Sequence, residues 1–249
     1  MSAVKLDVTD GLAELTLDRP KVNALNSQTL AALAEAFGRV TTDDAIRGVL
    51  VRAEGKCFSA GLDLMEVAGL RREGMMEFFG HFEGAFRGAF TCPKPVAVAV
   101  NGHAIAGGLI LAFTGDYVAW GRGDYTLALT ELQVGVPFPI TPMEIVRSAT
   151  TPRTLRQLVY EVVRVGPAQA FEMGLGDIVS DDPEADARAW LELAISRPAS
   201  AYCISKAHYR APYWERLEAQ QPDATERWLD GVFSDETREA MIATFTKRR

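Results

Sequence analysis

Two turns built from small residues constrain this chain more than any other feature of its 249-residue sequence. The first lies in GKCFSAGLDL (residues 55–64) and the second in NGHAIAGG (residues 101–108). A helical pattern follows each turn, and the first N–H groups of a helix have no acceptor within that helix. One such N–H from each turn, directed at the same point, would form an oxyanion hole, which stabilises negative charge that develops on an oxygen atom. The turns therefore predict a fold that brings them together.

The first half of the chain has the pattern of a mixed α/β protein. Alternating apolar and polar residues on both sides of Asp10-Gly11 predict a β-hairpin. Continuous apolar runs at 49–51 and 96–100 predict buried strands that lead into the two turns. After Thr130 the pattern becomes mostly helical, with predicted helices at 139–149, 152–163, 167–173, 183–196 and 235–249.

Composition and charge exclude several classes of function. The hydrophobic content of 48% and charged content of 24% are those of an ordinary globular protein of one large or two small domains. A net charge of −7 argues against nucleic-acid binding. The longest apolar stretch, residues 104–113, is too short to cross a membrane. No signal region follows Met1, and the three cysteines fit neither a disulfide framework nor a metal site, so we expect a cytoplasmic, metal-free protein.

An acid or base is required beside the proposed oxyanion hole, and Glu131 is the strongest candidate. Apolar residues flank it in TLALTELQVGVPFP, and partial desolvation would raise the pKa of its carboxyl group. The alternative interpretation is an exposed glutamate at the end of a strand. Glu66, one helical turn after the first small-residue turn, and His103, inside the second, are weaker candidates. Both are also explained as ordinary surface side chains.

These motifs resemble those of the crotonase family, the enoyl-CoA hydratases and isomerases. The resemblance extends over essentially the whole chain and rests on several motifs in the same order. They are RPKVNALN, FSAGLDLMEV, PKPVAVAVNGHAIAGG, GDY, TELQVGVPFP and FSDETREAMIATFTKR.

The resemblance implies an α/β fold, a spiral of ββα units followed by a helical trimerisation region. On this basis residues 1–190 form the spiral core and residues 191–249 the C-terminal helical region. It also implies an acyl-CoA substrate, no cofactor beyond the coenzyme A carried by that substrate, and assembly as a homotrimer or a dimer of trimers.

The resemblance assigns roles to individual residues. The backbone N–H groups of Ala60 and Gly107 would form the oxyanion hole, and Glu131 would be the catalytic carboxylate. The residues expected to bind the substrate and its coenzyme A are Val22, Ala24, Leu62, Asp63, Leu64 and Gly108.

The residue at position 110 favours one reaction of the family over another. The family's hydratases resemble one another in carrying two glutamates; the second aligns with Glu131, but the first aligns with Ile110. An aliphatic side chain can neither orient water nor donate a proton. The sequence therefore favours isomerisation of 3-enoyl-CoA to 2-enoyl-CoA by a single base. Two alternatives stay open: a hydratase or other lyase that takes an acid from elsewhere, and a non-catalytic acyl-CoA-binding protein.

Overall fold

A computed structural model describes residues 3–246. The chain begins with the antiparallel hairpin of β1 (Val4–Thr9) and β2 (Leu12–Leu17). Asp10 and Gly11 both have positive φ, 52° and 80°, as a two-residue hairpin turn of type I′ requires. The predicted hairpin is confirmed.

The strands after the hairpin form a spiral in which each turn adds one strand to each of two sheets. The first turn contains β3 (Gly48–Ala53) and β4 (Cys57–Ser59), the second β5 (Val96–Val100) and β6 (His103–Ile105), and the third β7 (Tyr117–Gly121) and β8 (Leu127–Ala128). With β9 (Ile178–Ser180), the large sheet has the order β1-β2-β3-β5-β7-β9 and the small sheet the order β4-β6-β8. The described strands after the hairpin pair with one another in parallel.

Helices complete each turn of the spiral and cover it. The helices are α1 (Ser27–Thr42), α2 (Leu64–Gly69), α3 (Arg72–Thr91), α4 (Gly107–Ala112), α5 (Ile140–Ser148), α6 (Pro152–Val159), α7 (Pro167–Glu172), α8 (Pro183–Ile195), α9 (Ala199–Val232) and α10 (Asp235–Thr246). The spiral α/β fold with helices behind it is confirmed. The last three residues of the predicted final helix, 247–249, lie outside the described residues.

The central strands of the large sheet, β3, β5 and β7, are buried on both faces, because their alternate side chains pack on opposite sides. Residues 96–100 of β5 are completely buried. Ala97 and Ala99 pack with Ala187 and Leu191 of α8 in one cluster, whereas Val96, Val98 and Val100 belong to the main core on the other face. The continuous apolar run in β5 is thus typical of a parallel strand that is buried on both of its faces.

The predicted division after residue 190 does not coincide with the end of a helix. It falls inside α8, and Leu191 packs on the sheet in the same cluster as Ala187. The connection between helix layers lies instead at residues 196–198, where α8 gives way to α9.

Buried charges fasten α9 to the spiral. Lys206 Nζ donates to Asp116 Oδ2 at 2.5 Å, and Arg210 Nη2 donates to Asp116 Oδ1 at 2.7 Å. Burial lowers the pKa of Lys206 to about 8, although the adjacent carboxylate opposes this effect. Asp116 therefore anchors the long helix. No helix within residues 3–246 is long and apolar enough to span a membrane.

Candidate active site

The first small-residue turn connects β4 to α2. Gly61 lies at φ +79°, and a Cβ there would be 2.7 Å from Ile105 O and 3.1 Å from Gly107 N. Asp63 caps α2 by accepting from the N–H groups of Met65 and Glu66 at 3.2 and 3.4 Å. Only glycine at position 61 permits the first turn to approach the second this closely.

The second turn connects β6 to α4 and lies against the first. Its Ala106 has φ 51°, and α4 begins at Gly107. A Cβ on Gly108 would lie 2.4 Å from Ser59 O, so close packing on β4 accounts for this glycine. The predicted contact of Gly108 with the substrate stays a prediction. The expected juxtaposition of the two turns is present.

Some backbone N–H groups of the first turn are hydrogen-bonded within the protein, and others are available to a ligand. Ala60 N–H donates to Val22 O at 2.9 Å, so the prediction that it forms the oxyanion hole is wrong. Leu25 N–H donates to Gly61 O and Asp63 N–H donates to Leu25 O, which leaves the intervening Leu62 N–H directed away from this ladder.

Leu62 N–H has no hydrogen-bond acceptor among residues 3–246, and neither has Gly107 N–H in the first turn of α4. Both residues line one cavity. The sequence singled out Leu62 only for coenzyme A binding. The structure makes its amide, rather than that of Ala60, the available partner of the Gly107 amide.

Glu131 lines the same cavity, just before a 3₁₀ turn at Leu132–Val134. Part of the residue reaches the surface, but its Oε2 atom is buried and without a hydrogen-bond partner within the described part of the chain. Burial raises the pKa of the Glu131 carboxyl to about 7, and the backbone N–H groups of Glu131 and Thr130 offset this only in part. The alternative of a fully exposed strand-end glutamate is therefore wrong.

The cavity has a volume of about 20 Å³ and is otherwise apolar. Ile110 contributes to its wall from α4, and the remaining residues are Phe78, Phe79, Phe82, Val136, Pro139, Pro142 and Trp228. Among these lining residues Glu131 is the only one that can ionise. One desolvated carboxyl group thus shares an apolar cavity with the residues of the two available amides, which suits proton transfer next to a developing oxyanion.

The other acids and bases considered from the sequence are used elsewhere. Glu66 accepts from Ser27 Oγ at 2.6 Å and from Ser27 N at 3.0 Å, so it binds the N-terminus of α1. His103 is exposed, and its Nδ1 accepts from Thr126 N at 3.0 Å. Neither residue lines the cavity.

A further carboxylate, Glu83 on α3, is buried close to the aromatic wall of the cavity. Its Oε2 accepts from Thr141 Oγ1 of α5 at 2.7 Å, and it does not line the cavity. Its role in the structure is to join α3 to α5.

The residues expected to bind coenzyme A lie together along the first turn. Val22 and Ala24 run beside residues 60–62, and Val22 is 45% exposed. Arg19 holds this segment in place: its guanidinium donates to Ala24 O at 3.2 Å and to Asp63 Oδ2 at 2.8 Å. These contacts make a surface beside the oxyanion hole, and the coenzyme A contacts of Val22, Ala24, Asp63 and Leu64 stay predictions.

Sequence reasoning missed Trp228, which comes from α9, far along the chain, to complete the cavity wall. No local motif marks this residue. Its position depends on how α9 packs across α3.

Comparisons with known proteins agree on the fold and the family. The model of the family described as enoyl-CoA hydratase/isomerase matches residues 7–249. A carnitinyl-CoA dehydratase of Salmonella paratyphi A is 30% identical over 206 residues, 80% of this chain and 77% of that protein. A probable enoyl-CoA hydratase of Bacillus subtilis is 29% identical over 184 residues, 73% of this chain and 70% of that protein.

Among solved structures, human mitochondrial delta3-delta2-enoyl-CoA isomerase matches with a TM-score of 0.93. The match covers 98% of this chain and 97% of that chain at 22% sequence identity. An identity this low shows a common fold and carries no information about which reaction is catalysed.

Proposed function

Because the chain belongs to the enoyl-CoA hydratase/isomerase family and is an acyl-CoA enzyme of that family, we propose that it converts 3-enoyl-CoA to 2-enoyl-CoA. The observation that carries this proposal is the composition of the cavity wall. Among the described residues that line the cavity, Glu131 is the only one that can ionise, and the position that would carry a second acid is the aliphatic Ile110. A double-bond shift requires one base that returns the same proton, whereas hydration requires a positioned water and an acid as well.

In this reaction the thioester oxygen accepts hydrogen bonds from Leu62 N–H and Gly107 N–H. The ionised Glu131 removes a proton from C2, and the electron pair of that C–H bond moves toward the thioester oxygen to give a dienolate. The two amides stabilise the negative charge, and each such donor is worth about 3–4 kcal/mol in transition-state stabilisation at most. The carboxyl group of Glu131 then returns the proton to C4, which leaves the double bond between C2 and C3.

The raised pKa of Glu131 suits both halves of this cycle. A carboxylate with a pKa of about 7 is a stronger base than an ordinary glutamate, yet it is still ionised in a useful fraction at neutral pH. The acid and base steps use one group, so we propose that no cofactor is needed beyond the coenzyme A of the substrate.

The assembly state follows the same reasoning from the family. We propose a homotrimer or a dimer of trimers with acyl-CoA as the only small-molecule partner. A cytoplasmic location stays a prediction from the sequence.

A lyase and a non-catalytic acyl-CoA-binding protein are the alternatives, and one experiment distinguishes all three. Relatives named as a hydratase and a dehydratase make a lyase the second candidate. We would assay isomerisation of 3-hexenoyl-CoA and hydration of crotonyl-CoA with the wild type and with Ile110→Glu. The proposal predicts isomerisation without appreciable hydration in the wild type, and a gain of hydration only in Ile110→Glu.

Rapid hydration of crotonyl-CoA by the wild type would contradict the proposal in favour of a lyase. Tight binding of both thioesters with turnover of neither would indicate the non-catalytic acyl-CoA-binding protein instead.

A further inference from the structure

The cavity that contains Glu131 leaves little space for an acyl chain. Its volume of about 20 Å³ is roughly that of one water molecule, far below the about 150 Å³ of an apolar cavity that binds benzene, so an acyl chain enters only as lining side chains move apart. A thioester held by the Leu62 and Gly107 amides would extend its acyl chain into this space, so the inference below rests on the proposed function.

A row of aromatic rings runs beside the acyl site, and Phe82, Phe79 and Trp228 of this row line the cavity. The row begins beside the oxyanion hole, because a Cβ on Gly107 would lie 3.6 Å from Phe86 Cζ. The ring centroids of Phe86 and Phe82 are 4.5 Å apart, and those of Phe82 and Phe79 are 5.6 Å apart. The row ends where Phe79 of α3 stacks on Trp228 of α9, with centroids 4.6 Å apart and an interplanar angle of 27°. These are favourable aromatic contacts.

Trp228 is held firmly at the end of this row. The residue is 6% exposed, and its Nε1 donates to Pro137 O at 2.8 Å. Close packing one turn later reinforces this position, since a Cβ on Gly231 would lie 2.6 Å from Pro137 Cγ. The indole is therefore fixed by one hydrogen bond and by contacts on both α3 and the loop before α5.

We infer that Trp228 closes the far end of the acyl site and restricts the protein to short acyl chains. A longer chain must either separate the Trp228–Phe79 stack or leave its terminal methylenes in water. Each methylene that enters an apolar site strengthens binding about fourfold, and a methylene that stays in water contributes nothing. Affinity should therefore rise with the first carbons of the chain and then stop rising.

The test measures the dissociation constants of butanoyl-CoA, hexanoyl-CoA and dodecanoyl-CoA by calorimetry, below the concentrations at which they form micelles. The variants are Trp228→Ala and the smaller change Trp228→Leu, which retains an apolar side chain if alanine prevents folding. Trp214→Ala is the matched control, since Trp214 lies on the same helix but stacks on Arg87 and does not line the cavity.

We expect the wild type and Trp214→Ala to bind dodecanoyl-CoA no more tightly than hexanoyl-CoA. Trp228→Ala or Trp228→Leu should favour dodecanoyl-CoA over hexanoyl-CoA by about tenfold or more, as a few newly buried methylenes would. Wild-type affinity that increases steadily up to dodecanoyl-CoA would overturn the inference, as would an unchanged ratio in both Trp228 variants.

These thioesters are saturated, so the measurement does not depend on turnover. A protein that shows the expected profile but does not isomerise 3-hexenoyl-CoA would contradict the proposed reaction while supporting the limit on chain length.

Discussion

Replacing Glu131 by glutamine should make the protein more stable at alkaline pH. Burial raises the pKa of this carboxyl from 4.5 to about 7 in the folded protein. Below pH 4.5 the group is protonated in both the folded and the unfolded chain and has no effect on stability. Between pH 4.5 and about 7 the unfolded chain loses the proton first, so the wild type loses stability as the pH rises, and above about 7 the loss is complete.

The full loss amounts to about 3 kcal/mol, because each tenfold difference in proton affinity corresponds to about 1.4 kcal/mol. Glutamine has a similar shape and does not ionise, so Glu131→Gln avoids this loss. The difference in the free energy of unfolding between the variant and the wild type should grow by about 2.5 kcal/mol from about pH 5 to about pH 8.5.

Urea unfolding at several pH values measures this difference directly. Glu172→Gln is the matched control, since Glu172 is an exposed glutamate outside the cavity, and its difference from the wild type should stay nearly constant. Parallel stability curves for Glu131→Gln and the wild type across this range would refute the claim that the carboxyl is desolvated.

Two further predictions concern the packing of the second turn and the anchoring of α9, and both are measured as changes in stability. Gly108→Ala should lower the free energy of unfolding by about 1–3 kcal/mol, because its Cβ would lie 2.4 Å from Ser59 O. Gly107→Ala is the control: its Cβ would lie 3.4 Å from Leu25 Cδ1, an ordinary contact, so the midpoint of urea unfolding should stay nearly unchanged. Asp116→Asn should destabilise the protein by about 3–5 kcal/mol, since it leaves the buried Lys206 ammonium without its carboxylate, and an unchanged midpoint of urea unfolding would contradict the anchoring role.

Local patterns were sufficient to predict the front of the fold. The Asp10-Gly11 hairpin and the strand β5 follow from turn chemistry and from hydrophobic runs, both of which act over a few residues. The three-residue strands β4, β6 and β9 could not be predicted, because each exists only through pairing with a distant partner.

The long helix α9 was also absent from the sequence prediction. Pro212 lies inside it, and an internal proline normally indicates the end of a helix. What holds α9 in place is tertiary: the buried contacts of Lys206 and Arg210 with Asp116, which no local pattern shows.

In the site, too, local motifs predicted some residues, whereas others depend on contacts between distant parts of the chain. Motifs placed the two turns and Glu131 in one cavity correctly. The sequence could not show which amide of the first turn is available to a ligand. That depends on how residues 22–25 pair with residues 60–63, and in this pairing Leu62 N–H rather than Ala60 N–H is without an acceptor. Trp228 depended on the packing of α9 and had no signal in the sequence.

The most direct test of the central claim is the turnover of 3-hexenoyl-CoA by Glu131→Gln, measured together with the binding of hexanoyl-CoA. If Glu131 is the base that carries the proton from C2 to C4, turnover should fall by about 10²–10⁴-fold or more, while the dissociation constant of hexanoyl-CoA changes little. A glutamine variant that isomerises 3-hexenoyl-CoA at the wild-type rate would contradict the assignment of Glu131 as the catalytic base.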